Sequence, residues 1–210
     1  MRKRLLLSLV VLLLSPLTFA GSIPVNMTFL GPGGNNSGGV YTYPYYFSIN
    51  GGPSVPLMCD AFTNHITQGE SWTANVSSLL GGSGLFGNQL LDYKAAGLIY
   101  LGVLKGAIDP NTGNWAVWNL FNHGITTNSA VLKLDASTLW LAAHSPSSAF
   151  NGLVLYTPVG GRPGYGPQEF IGYNPGCVVT PEPTSLLFLS TGLLGIAALV
   201  RRKTAISRLS

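Results

Sequence analysis

The sequence predicts an α+β fold: one compact, β-rich domain with about three helices, flanked by an N-terminal signal helix and a C-terminal transmembrane helix. Three observations predict it. Runs rich in Tyr, Val and Ile lie toward both ends of the interior and read as strands. Stretches with helical apolar spacing lie between them. Both chain ends carry an apolar run beside a cationic cluster. Strands, then helices, then strands is the order of an α+β domain.

The elements follow in chain order. Gly31 to Gly39 holds five glycines, a proline, two asparagines and a serine, and reads as a turn-rich segment. Val40 to Ile49 reads as a strand, with Pro44 marking an edge or break. Asn50-Gly51-Gly52 is a hairpin turn signal, and Val55 to Phe62 is the returning strand. Glu70 to Val76 places Trp72, Ala74 and Val76 on one face, a period of two. Asn88 is expected to cap a helix with the stripe Leu90, Tyr93, Gly97, Tyr100, Leu101 and Leu104, stopped at Lys105-Gly106. Asp109 to Gly113 reads as a turn. A calcium loop there lacks the further ligands and the terminal Glu. Trp115, Trp118 and Phe121 then recur on a short helix ending near Gly124. Asp135 is expected to cap a third helix, stopped by Pro146. Gly152 to Pro158 and Gln168 to Tyr173 read as late strands.

The chain has 210 residues, of which 9% are charged and 46% hydrophobic. The apolar share excludes a disordered chain. The net charge of +4 does not imply nucleic acid binding. Seven of the eleven basic residues lie in the terminal segments, and the interior holds Lys94, Lys105, Lys133 and Arg162 against six acids. With no basic patch, binding to a phosphate backbone has no electrostatic source.

The ends read as addresses. Arg2-Lys3-Arg4, the apolar run Leu5 to Leu14, and small residues at Thr18 and Ala20 form a secretory signal over residues 1–20. Cleavage is expected between Ala20 and Gly21 by the signal machinery of the secretion translocon. An exported domain of residues 21–178 follows. Then come Pro181-Glu182-Pro183, an apolar stretch from Thr184 to Val200 of 17 residues, and Arg201-Arg202-Lys203. A Pro-rich break, a short apolar helix and a basic stop describe a C-terminal membrane anchor. Residues 204–210 form a cytoplasmic tail.

The order Pro181-Glu182-Pro183, the span containing Gly192-Leu193-Leu194-Gly195, and Arg201-Arg202-Lys203 resembles the PEP-CTERM sorting signal over residues 179–203. The resemblance implies an exosortase as partner, and a membrane-anchored precursor later placed at the cell surface or in the extracellular matrix of a Gram-negative-type, exopolysaccharide-making bacterium. The interior motifs Cys59-Asp60-Ala61-Phe62, Gly69-Glu70-Ser71-Trp72, Tyr93-Lys94-Ala95-Ala96, Asn114-Trp115-Ala116-Val117-Trp118, Tyr156-Thr157-Pro158 and Gln168-Glu169-Phe170 are similar to those of PEP-CTERM proteins of unassigned role.

No catalytic constellation, cofactor motif or metal spacing stands out, so the expected role is non-enzymatic. Its partner is expected to be extracellular polysaccharide or biofilm matrix. The alternative is a covalent adhesin or Cys-dependent enzyme using Cys59. The interior distantly resembles surface thioester domains, which join a Cys to a Gln; here Asn114, one methylene shorter, stands before Trp115. The even cysteine count of an exported chain favours a Cys59–Cys177 disulfide. The Gly/Pro-rich setting of Cys177 leaves free thiols as the other reading. His65, His123 and His144 show no metal spacing. Trp72, Trp115, Trp118 and Trp140 read as packing residues before a sugar-stacking platform. A glycan-cleaving enzyme needs two carboxylates in one cleft, and the six interior acids offer no evident pair.

Overall fold

The computed structural model describes residues 22–81 and 84–174. The expected signal helix, transmembrane helix and Cys177 lie outside these residues. Eight strands form: β1 Ile23–Pro32, β2 Asn36–Ser37, β3 Val40–Tyr41, β4 Tyr45–Ile49, β5 Ser54–Cys59, β6 Ser71–Ser78, β7 Leu153–Pro158 and β8 Phe170–Tyr173. Three helices lie between β6 and β7: α1 Leu90–Leu104, α2 Pro110–Phe121 and α3 Ser129–His144. Six strands close into an antiparallel barrel in the order β1-β4-β5-β8-β7-β6, and β2 and β3 form a separate small ribbon. Among the described residues no helix is long and apolar enough to cross a membrane.

Strand β1 closes the barrel. Its first half pairs with β6, from Ile23 opposite Val76 to Thr28 opposite Ser71. Its second half pairs with β4, with the register shifting between Phe29 and Gly31. Gly31 sits at φ +136°, a conformation that costs glycine little. The bulge there lets one strand serve both neighbours. The sequence pattern gave no strand before Gly31, because Ile23-Pro24-Val25-Asn26-Met27-Thr28 is a weak alternation with a proline inside it. Pro24 is tolerated near the strand start, where fewer ladder bonds are needed.

Alternation along the strands divides two cores. Leu57, Cys59, Val154, Tyr156 and Phe170 point into the barrel with Met27, Phe29, Tyr45 and Phe47. Met58, Leu153, Leu155 and Ile171 point out, against the helices. Thus β5, β7 and β8 are covered on both faces, which is why they read as near-continuous apolar runs. Trp118 of α2 joins the barrel core, while its neighbours Ala116, Val117 and Leu120 join the helical one.

Three expectations for the helices need correction. Helix α1 has Gln89 at its N-cap with no side-chain bond, so Asn88 does not cap it, and Leu90 and Leu104 are exposed. Its buried face holds Tyr93, Ala95, Ala96, Gly97, Ile99, Tyr100 and Val103, because packing against the barrel and both other helices buries more than one stripe. Asp109 is no mid-loop residue: it caps α2, accepting from Thr112 N at 2.8 Å, with Pro110 in the first helical position. Asp135 does not cap α3; Asn128 does, accepting from Ala130 N at 2.9 Å. Asp135 sits inside α3, buried against Asn119 of α2, whose Nδ2 donates to it at 2.7 Å. Burial pushes its carboxyl up to about 6, against the opposing pull of that hydrogen bond and of His123.

Helices α1 and α2 approach closely at Gly113. A Cβ there would lie 2.6 Å from Val103 Cγ2 and 3.2 Å from Ile108 Cγ2. Both are stiff, β-branched side chains. Gly113→Ala is expected to destabilise the domain by about 1–3 kcal/mol through overpacking, although alanine gains about 1 kcal/mol in helix propensity. Urea unfolding checks the sign.

Candidate functional site

The chemistry-bearing side chains gather where the barrel meets the helices. Cys59 ends β5, and Asp60 follows it. Glu169 precedes β8, with its carbonyl accepting from Asp60 N at 3.3 Å. The strand pairing of Cys59 with Phe170 therefore sets Asp60 beside Glu169, and both are fully buried. Glu169 is well supplied with donors. Tyr93 OH of α1 donates to Oε1 at 2.6 Å, Leu85 N donates to Oε2 at 2.7 Å, and Thr157 Oγ1 also donates to Oε2. Gly84 forms the roof, since a Cβ there would lie 2.1 Å from Tyr93 Oη and 2.9 Å from Glu169 Oε1.

Asp60 is supplied differently. Neither of its carboxyl oxygens meets a donor among the described residues. An ionised carboxylate only accepts, whereas a protonated one donates. Burial first, then the charge and hydrogen-bonding capacity of Glu169, hold the Asp60 carboxyl well above the usual carboxylate range. A neutral Asp60 beside Glu169 avoids two adjacent buried charges in a low dielectric.

Among the described residues Cys59 is a free, buried thiol; the expected Cys59–Cys177 disulfide involves a residue outside them. The Sγ accepts from Trp118 Nε1 at 3.5 Å and donates to Ala61 O at 3.6 Å. Burial, and then Asp60, push the thiol up from its ordinary value. Such a cysteine is inert, because the thiolate is the nucleophile. Asn114 stands beside the same residue. Its Nδ2 donates to Cys59 O at 2.8 Å, and its Oδ1 accepts from Tyr43 N at 2.7 Å. The carboxamide thus ties α2 to β5 and to the segment before β4. Gln168 extends the network, donating from Nε2 to Asn64 O at 2.7 Å and to Ala61 O at 3.3 Å. Asn64 in turn donates to the carbonyls of Arg162, Gly166 and Pro167 and accepts from Gly164 N.

The motifs thus converge on one seam: Cys59-Asp60, Tyr93, Asn114 with Trp118, Thr157, and Gln168-Glu169. The pairing of Asp60 with Glu169 is missing from the sequence reading, because strand register brings it about across more than a hundred residues. A signal was present, since each acid is embedded in an apolar run, Leu57-Met58-Cys59 before one and Phe170-Ile171 after the other, and such an acid is buried and partnered. The pair does not make a glycan-cleaving site. Both acids are sealed from solvent, whereas such a site needs them open to the substrate.

Clefts among the described residues open to solvent. One, of about 210 Å³, is lined by Ser37, Asn111, Thr112, Trp115, Thr126, Asn128 and Val131. Another, of about 300 Å³, lies beside the 162–167 loop and includes His65, Glu70 and Tyr165. The four tryptophans do not form one platform. Trp118 is buried, Trp115 stands at the first cleft, Trp72 packs against the barrel core, and Trp140 on α3 is 63% exposed and stacks on His144. Among the described residues no three His, Cys, Asp or Glu side chains are grouped to hold a metal ion.

The seam generates two expectations. In the unfolded chain Asp60 ionises near pH 3.9, while in the folded chain it stays protonated to higher pH. The folded state therefore holds a proton that the unfolded state releases, and stability falls as pH rises above about 4. Asp60→Asn keeps a neutral side chain of the same shape without that titrating proton. It is expected to exceed the parent protein in stability at about pH 8 by on the order of 1 kcal/mol, with the difference shrinking toward pH 4 in denaturant titrations. Glu169→Ala strands three buried donors and is expected to cost roughly 3 kcal/mol or more. In iodoacetamide labelling followed by peptide mapping, the Cys59 peptide is expected to react only after denaturation.

No curated protein and no solved structure matches this chain. The model of the PEP-CTERM protein-sorting motif matches residues 179–203. The match covers Pro181-Glu182-Pro183, the apolar stretch and Arg201-Arg202-Lys203. The chain carries a PEP-CTERM sorting motif, the mark of an exported protein handed to an exosortase for placement at the cell surface.

Proposed function

We propose that this chain is a non-enzymatic protein of the bacterial cell surface or extracellular matrix, whose domain associates with extracellular polysaccharide. The signal segment 1–20 is removed between Ala20 and Gly21. The stretch from Thr184 to Val200 holds the precursor in the membrane, with Arg201-Arg202-Lys203 on the cytoplasmic side. The exosortase then acts near Pro181-Glu182-Pro183.

One observation supports the non-catalytic reading. The groups able to do acid, base or nucleophilic chemistry together, Cys59, Asp60, Tyr93 and Glu169, are all buried, and the side chains of Cys59, Tyr93 and Glu169 are hydrogen-bonded within the fold. A catalytic group must reach a substrate proton or carbon, and these meet only protein. The first open cleft holds neutral hydrogen-bonding groups and an aromatic ring instead, a lining suited to binding.

Intact mass of the protein recovered from its own host tests the reading, with cosedimentation on the host's exopolysaccharide as the second arm. The expected mass starts at Gly21 and ends near Pro181–Pro183, and the expected protein pellets with the polysaccharide. A retained tail overturns exosortase processing, and a supernatant protein overturns the polysaccharide role. A mass about 17 Da low, restored by methylamine, overturns the inert thiol in favour of a thioester adhesin.

A further inference from the structure

We propose that the cleft at the N-terminal ends of α2 and α3 binds a single neutral, hydroxyl-rich ring of an extracellular glycan. This rests on the polysaccharide reading above and assigns it a site and a sugar class.

Every polar side chain lining the cleft is uncharged: Ser37, Asn111, Thr112, Thr126 and Asn128. The protein itself fixes how they face a ligand. Asn111 Oδ1 accepts from Thr42 Oγ1 at 2.5 Å, so its Nδ2 is left as a donor. Asn128 Oδ1 accepts from Ala130 N, so its Nδ2 is left likewise. Thr126 Oγ1 accepts from Asn128 N at 3.1 Å and keeps its own proton to give. Thr112 Oγ1 is already spent on Asp109 at 3.0 Å. The cleft thus offers two amide donors and the hydroxyls of Thr126 and Ser37, a set that matches the lone pairs of sugar hydroxyls.

Charge is met elsewhere. The N-terminus of α2 is capped by the carboxylate of Asp109, and that of α3 by Asn128 Oδ1. No cation lines the cleft to pair with a uronate, sulfate or phosphate. Trp115 also lines the cleft, and it packs against Phe62 at 5.6 Å and Trp118 at 5.4 Å between ring centroids. A sugar ring, polar at its rim and apolar on its C–H face, suits that combination, as aromatic rings with a polar surround do in ligand sites generally. The volume of about 210 Å³ lies below that of pockets for drug-sized ligands, roughly 300–1,000 Å³, so one ring enters and the polymer runs on outside.

Saturation-transfer NMR on protein purified from its host tests this, with methyl β-glucoside, N-acetylglucosamine and glucuronate as probes. Cosedimentation with host exopolysaccharide runs alongside. The expected result is transfer from at least one neutral sugar and none from glucuronate. Asn128→Asp keeps an N-cap acceptor and removes the donor, and Ser37→Trp fills the cleft. Each is expected to weaken polysaccharide binding by at least about tenfold, or 1.4 kcal/mol, with Tm held within ~2 °C. Binding that survives both variants overturns the cleft while sparing the polysaccharide reading. Transfer from glucuronate alone overturns the neutral class. A parent protein that binds no polysaccharide overturns the broader reading together with the cleft.

Discussion

The domain depends on two acids buried side by side. Asp60 and Glu169 lie side by side in the dry seam between barrel and helices. Two charged carboxylates there would repel in a low dielectric, and burial beside Glu169 favours the neutral form of Asp60. Glu169 then gathers Tyr93 from α1, Thr157 from β7 and the backbone of Leu85. Four segments distant in sequence are thus referenced to one carboxylate. Partly satisfied, such a network destabilises more than an apolar core; fully satisfied, it specifies a single arrangement.

That constraint explains why the seam motifs look like chemistry in the sequence yet build structure here. Cysteine, aspartate, tyrosine and glutamate at short range are the ingredients of an active site, but burial raises the thiol, the phenol and the Asp60 carboxyl and denies them a substrate. The cleft at the starts of α2 and α3 is lined instead by neutral side chains, with Asn111 held by Thr42 and Asn128 by the backbone of Ala130.

Much of the framework was legible. The turn at Asn50-Gly51 appears with both residues at positive φ, 51° and 72°, as a hairpin of this composition requires. The face of Trp72, Ala74 and Val76 does turn to the barrel core. What was hidden depends on partners. Strand β1 is held by β4 and β6 together, not by its own propensity. Asp135 looked like a cap because aspartate before an apolar run usually is one, and it is placed inside α3 by Asn119, a tertiary partner. The barrel's closure is likewise invisible in the pattern, since alternation gives a strand its faces but not its neighbours.

Strand order carries a consequence for export. Among the described residues strand β8 is the last, ending at Tyr173, yet it lies between β5 and β7 in the barrel. Its predecessor residues supply Glu169 and Gln168 to the seam. A chain threading through a membrane from its N-terminus therefore lacks the piece that seals the barrel until nearly all of the domain has crossed, within a few residues of the sorting motif. Until β8 is added β5 and β7 present open edges, so the barrel is completed only by residues that stand next to the sorting motif in the sequence.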